Sequence, residues 1–208
     1  MRNWILPGLA LCACGASAQN LIVNGSFEDP LINADQTDGS IYYKYGFAPL
    51  APWTNGNLLV LQNRAPYWVA SDGQQFVNLQ YSSVFQISQD VATTAGQQYR
   101  LSFDLTSDNV MGQWDRNDCT VGVKWNGVTI GTFTPSADAR ETLVWDSHSL
   151  LVTATSASAN VAFYDVNNNV DFIGPVLDNI RLEAVPEAGT LAALSAGLVA
   201  LLARRRRS

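Results

Sequence analysis

The sequence has 208 residues, 47% apolar and 14% charged, with 12 basic against 18 acidic side chains and a formal net charge of −6. That length suits one ordinary domain, and an ordinary apolar content with few charges excludes intrinsic disorder, which needs the reverse. Lysine occurs only at Lys44 and Lys124, so a helical bundle, which needs many exposed helix formers, is not expected.

The first eighteen residues read as a secretory leader. Arg2 precedes an apolar stretch from Trp4 to Ala13, and Ala16-Ser17-Ala18 is the small-x-small pattern that signal peptidase accepts, which puts cleavage after Ala18. Leu11-Cys12-Ala13-Cys14 loosely resembles a lipoprotein processing box with Cys14 as the lipidated residue, an alternative use of the same segment. Cleavage after Ala18 leaves Cys119 as the one cysteine, and one thiol makes no internal bridge even in an oxidising compartment.

Beyond the leader the pattern is of short strands. Leu21–Val23 is the first candidate, and Pro30–Ala70 reads as a long aromatic-rich loop. Gln75–Leu79 and Val84–Val91 follow. Tyr99, Leu101, Phe103 and Leu105 then alternate with Arg100, Ser102, Asp104 and Thr106, a period of two over eight residues. Thr106–Cys119 reads as another loop. Val121–Trp125 and Val128–Phe133 flank Asn126-Gly127, the type I′ hairpin signal. Leu143–Trp145, Ser149–Ala154, Asn160–Val166 and Val176–Leu182 complete the set. No helical stripe longer than two turns interrupts them, and about ten such strands imply an all-β sandwich.

The end of the chain is different. Leu191 to Ala203 carries no charge over thirteen residues and is followed by Arg204, Arg205, Arg206, Arg207 and Ser208. As a helix this run reaches about 20 Å at ~1.5 Å per residue, a marginal membrane span whose arginines favour the cytoplasmic side. Residues 19–186 hold seven basic against seventeen acidic groups, a net charge of −10. That excess repels phosphate backbones, so no nucleic-acid partner is expected.

Val185, Pro186 and Glu187, the apolar run and the four arginines together resemble the PEP-CTERM sorting signal of exosortase substrates, with Ala188 where a second proline is usual. The resemblance implies export through the inner membrane of a Gram-negative bacterium. It also implies transient residence of 191–203 in that membrane, exosortase cleavage near Pro186-Glu187, and delivery to the cell surface or exopolysaccharide matrix. The expected division is 1–18 signal peptide, 19–184 sandwich domain and 185–208 sorting segment, with signal peptidase and exosortase as processing partners.

A second resemblance covers most of 20–184. Asn20 to Glu28 (NLIVNGSFE), Trp53-Thr54, Gly73 to Leu79, Ile87-Ser88-Gln89, Gly96 to Asp104 and Gly174 to Ile180 recur in an order similar to that of the choice-of-anchor C family. They are similar also to carbohydrate-binding modules with galactose-binding-like jelly rolls. In jelly rolls the first and last strands lie side by side, which would bring Glu28 and Asp178 together. With oxygens around Asn24 they would begin a structural Ca2+ site, since calcium takes 6–8 oxygens. The competing role is that Glu28 caps a turn and Asp178 accepts backbone N–H bonds. Sugar binding needs flat apolar faces beside planar donors and acceptors, and Tyr67, Trp68, Tyr81 and Trp114, in or beside loops, are the platform candidates. Trp125 and Trp145 fall in strands, and Trp53 is expected to pack under its loop.

Catalysis has little to stand on. His148 is the one histidine, in Asp146-Ser147-His148-Ser149, and neighbours in a strand point to opposite faces rather than converging as a triad does. A glycosidase would need two carboxylates across a cleft at a set separation. The expected function is non-catalytic binding of exopolysaccharide in a surface or biofilm setting. The alternative is a structural or adhesion protein with a protein partner, and a glycosidase comes third.

Overall fold

The computed structural model describes residues 19–32, 44–54, 57–63, 67–79, 86–108, 119–137, 142–167 and 174–186. Among them are ten strands and no α-helix: β1 Lys44–Pro49, β2 Asn57–Gln62, β3 Gln75–Asn78, β4 Gln86–Ala92, β5 Gln98–Ser107, β6 Val121–Trp125, β7 Val128–Phe133, β8 Asp146–Thr153, β9 Ser158–Asp165 and β10 Pro175–Ala184. They form a six-stranded sheet, β1-β2-β3-β10-β5-β8, and a four-stranded sheet, β4-β9-β6-β7, with every strand pair antiparallel. The fold is the all-β sandwich that the alternation of residues implies.

The alternation decides what faces inward. Tyr99, Leu101, Phe103 and Leu105 of β5 are buried between the sheets with Val121 and Val123 of β6 and Val161 and Phe163 of β9. Phe103 meets Phe133 and Phe163 edge-on at 5.3 and 5.1 Å, the arrangement the ring quadrupoles favour. Asn126 and Gly127 take φ of 51° and 80°, the two left-handed positions a type I′ turn requires between β6 and β7.

Three expectations change. Pro30–Ala70 is not all loop, because β1 and β2 lie within it and add two strands to the larger sheet. Leu21–Val23 is not a strand: only Asn20 bridges to Glu183, and Leu21 N–H donates to Leu182 O at 2.8 Å. Leu143–Trp145 ends before β8 begins at Asp146. The beginning and end of the domain do lie side by side, and Ile180 N–H donates to Gly25 O at 2.9 Å. Ala18, Glu187, Arg204 to Arg207 and the apolar run 191–203 fall outside the described residues. Among those described, no helix is long and apolar enough to cross a membrane.

Gly25 is a packing requirement of this closure, because a Cβ there would stand 2.0 Å from Ile180 O, a backbone atom held in β10. Gly25→Ala should therefore destabilise the domain by about 1–3 kcal/mol in urea unfolding, the usual range for overpacking. An unchanged midpoint would show that the closure yields freely.

Candidate functional site

Among the described residues, the outer face of the six-stranded sheet is only partly covered. Leu59, Leu61, Phe76 and Val176 point away from the main core, since their neighbours Val60, Val77 and Leu177 point into it. A second apolar cluster forms on them from Trp68, with Tyr67, Ala70, Leu143 and Trp145 packed around it. Trp68 is fully buried at its centre. It is thus a packing anchor and not the sugar platform expected of it, because the segment 67–74 needs an apolar knob to lie down on the sheet. Tyr67 is half-buried at the edge of the same cluster. Trp145 is half-buried too, edge-on to Phe76 at 5.6 Å, and its indole N–H donates to Val69 O at 2.9 Å. Tyr81 and Trp114 lie outside the described residues. The strand ends that flank them meet at one end of the sandwich, where Leu79 N–H donates to Pro175 O and the Ser107 hydroxyl contacts Cys119 Sγ at 3.2 Å. Trp53 is buried in the main core, with its indole N–H on Asn24 O at 2.8 Å.

Where the second layer stops, β10 beyond Val176, β5 and β8 form a floor, and residues 69–72 with Trp145 form a riser among the described residues. Seven polar side chains converge at this step. Asp104 of β5 accepts from the Ser147 hydroxyl at 2.6 Å, the Ser71 hydroxyl at 2.7 Å and the Asn179 amide at 2.9 Å. Asp178, directly opposite Asp104 in the β10–β5 register, accepts from Asp72 N–H at 2.9 Å and Asn179 N–H at 2.7 Å. The Ser71 hydroxyl also lies 3.2 Å from Asp178. Arg181 donates through Nε to Asn179 Oδ1 at 2.7 Å and reaches Asp72 Oδ2 at 3.5 Å. A register shift between Asp178 and Arg181, with Asn179 at φ 52°, makes this crowding feasible. Regular alternation would turn residue 179 inward; the bulge keeps Asp178, Asn179 and Arg181 together, and bulges of this kind re-aim side chains. Ser102, Ser147 and Ser149 leave the floor open beside them, half-buried or exposed.

Glu28 and Asp178 both reach the peptide turn 72–75. Glu28 Oε1 accepts from Gln74 N–H at 2.6 Å and Gln75 N–H at 2.7 Å, while Asp178 holds Asp72 N–H, so the two carboxylates grip residues 72–75 from opposite sides. Gly73 takes φ +82° between them, and a Cβ there would stand 2.4 Å from Glu28 Oε1. Asn24 Oδ1 accepts from Asp29 N–H at 3.0 Å. Glu28 Oε1, Asn24 Oδ1 and both Asp178 carboxylate oxygens thus each accept from at least one N–H donor. Among the described residues no group of three His, Cys, Asp or Glu side chains is placed to hold a metal ion.

Burial pushes the Asp178 carboxyl up to about 7 against the N–H and hydroxyl bonds that favour its ionised form. Burial likewise pushes the Cys119 thiol up to about 12, which leaves it a packing group and not a nucleophile. His148 is lowered by burial, opposed by Asp146 and Asp104, and its ring sits 4.7 Å from Phe133 and 5.4 Å from Phe103. It faces the core side of β8 while Ser147 faces the step, which separates them as strand geometry demands.

The sequence matches the family model described as "Protein of unknown function (DUF642)" over residues 20–183 and the PEP-CTERM protein-sorting motif over 184–207. No curated protein matches it closely enough to count as a relative. Similar solved structures include the family 35 carbohydrate-binding module from Clostridium thermocellum, at 12% identity, 67% of this chain, 97% of that one and a TM-score of 0.42. Another is TmCBM61 in complex with β-1,4-galactotriose, at 13% identity, 81% and 100% coverage and a TM-score of 0.43. A third is the C-terminal domain of the sugar-binding protein EclA, at 14% identity and a TM-score of 0.35, with 46% of this chain spanning 64% of that domain. At such scores none of these likenesses bears on the ligand.

Two outcomes follow from the carboxylates. Because the folded Asp178 binds its proton more tightly than the usual carboxylate, the folded state holds the extra proton between about pH 4 and pH 7 and its stability falls as pH rises through that window. Asp178→Asn removes this slope, so urea unfolding should show the variant gaining on the wild type from pH 5 to pH 8, whatever the constant offset; a difference independent of pH would contradict it. Chelator should leave the melting temperature of the protein unchanged, and a drop reversed by Ca2+ would restore the metal reading.

Proposed function

The chain belongs to the DUF642 family and ends in the PEP-CTERM sorting motif of exosortase substrates, and from that premise we propose a non-catalytic, polysaccharide-binding protein of the cell surface or exopolysaccharide matrix. The observation that carries this reading is the step on the outer face of the six-stranded sheet. Trp145 and Val69 supply an apolar riser, and Asp72, Asn179, Arg181 and Ser147 supply planar or small donors and acceptors beside it. A pyranose has the same two kinds of surface, an apolar C–H face and a rim of hydroxyls. Signal peptidase at Ala18 and exosortase near Pro186-Glu187 are the processing partners, and the product is released or tethered among the polysaccharide it binds.

Against a glycosidase stands the position of Asp104 and Asp178, which face each other in the β10–β5 register. Asp104 is 7% and Asp178 0% exposed, and both are engaged by N–H and O–H donors, so neither can reach a glycosidic oxygen. The adhesion reading, with a protein partner, is favoured by Val69 and Val144, which are 43% and 44% exposed near Trp145.

Purified protein should bind at least one member of a panel of insoluble and soluble glycans saturably. Trp145→Ala should weaken that binding about tenfold, as loss of an interface anchor does, with a melting curve confirming that the variant is folded. Folded wild-type protein that binds no glycan would overturn the reading and turn the search to protein partners.

A further inference from the structure

Asp72 and Arg181 come from different parts of the chain, one from the riser and one from β10, yet both are set in place. Arg181 is oriented by Asn179 Oδ1, and Asn179 in turn is tied by its amide to Asp104. Asp72 is fixed by its own backbone N–H on Asp178. Their side chains remain 46% and 47% exposed, with Nη2 and Oδ2 3.5 Å apart, so a donor fork and an acceptor stand side by side facing the solvent. A guanidinium only donates and a carboxylate only accepts, whereas a hydroxyl does both. Two neighbouring hydroxyls can therefore give a hydrogen to Asp72 and take one from Arg181 at the same time.

We propose that Asp72 and Arg181 form a clamp for a vicinal diol, and that the step selects an uncharged glycan over one built of uronate units. The inference rests on the polysaccharide reading above. A uronate unit keeps its ring diol, but its carboxylate has no hydrogen to give Asp72 and brings a further negative charge beside Asp72 and Asp104. Among the described residues the one cation at the step is Arg181, already balanced by Asp72. Farther along the floor Arg100 lies opposite Glu183 in the register and adds no net positive charge. The excess of acidic over basic groups in residues 19–186, seventeen against seven, repels a polyanion before it arrives.

The test is affinity of the full chain for galactan, dextran and mannan as uncharged probes and for polygalacturonate as the carboxylated one, at low and at physiological salt. The expected result is at least one uncharged probe bound tenfold or more tightly than polygalacturonate. Arg181→Gln and Asp72→Asn should each weaken it about tenfold, the loss of a hydrogen bond to a charged group. Asp72→Asn should at the same time raise the affinity for polygalacturonate, a gain that mere damage to the fold cannot produce. Lys124→Ala, on the opposite sheet, should leave binding unchanged. Polygalacturonate bound as tightly as the uncharged probes, or binding untouched by both substitutions, would overturn the clamp while the polysaccharide reading stands. No binding of any probe by folded protein would overturn both.

Discussion

The structure depends on one short turn held between two carboxylates. Residues 72, 74 and 75 donate backbone N–H groups to Asp178 and Glu28, which reach them from the last and first segments of the domain. A hydrogen bond to a charged group is worth about 1.5–3 kcal/mol, so three such bonds matter to a domain of ordinary marginal stability. Gln75 extends the same tie, donating to Phe27 O and Pro30 O and accepting from Ile32 N–H. With the turn pinned, Trp68 stays pressed on Phe76 and Leu61, and the second layer has a fixed edge.

That edge is what shapes the proposed site. A flat antiparallel sheet with one solvated face offers little to grip, but a layer that ends halfway across leaves a riser and a floor. The bulge at Asn179 then crowds polar groups into the corner, and small serines on β5 and β8 keep it open. Binding groups on a rigid sheet lose little entropy when a ligand arrives. The sorting motif at 184–207 begins where β10 ends, so the strand that carries Asp178 and Arg181 runs directly into the segment that exosortase handles.

Much of the fold was legible because period-two alternation reports burial directly, as in β5, and because Asn126-Gly127 specifies its turn. The strands β1 and β2 were not, since Lys44–Pro49 contains glycine and proline, and Asn57–Gln62 is a nearly continuous apolar run that shows no alternation. That run is apolar because both faces of β2 are covered, Val60 by the main core and Leu59 and Leu61 by the second cluster. The same fact hid the fate of Trp68: a tryptophan in a polar loop looks exposed until a second layer is known to exist. Glu28 and Asp178, at the two ends of the domain, both bind the turn 72–75. What lay between them was a peptide turn, and no local sequence signal distinguishes carboxylates that hold an ion from carboxylates that hold N–H groups. Asn179 and Arg181 went unnoticed because regular alternation places residues 178 and 179 on opposite faces, and only the bulge brings them together.

The account stands or falls on where a glycan touches the protein. Amide chemical-shift mapping of the isotope-labelled protein, titrated with a soluble oligosaccharide of any glycan it binds, answers this directly. The account predicts perturbations concentrated at residues 69–72, 145–149 and 178–181, with the opposite face around Lys124 and Tyr164 silent. Perturbations centred on β4, β9 and β6, with the step unaffected, would contradict it.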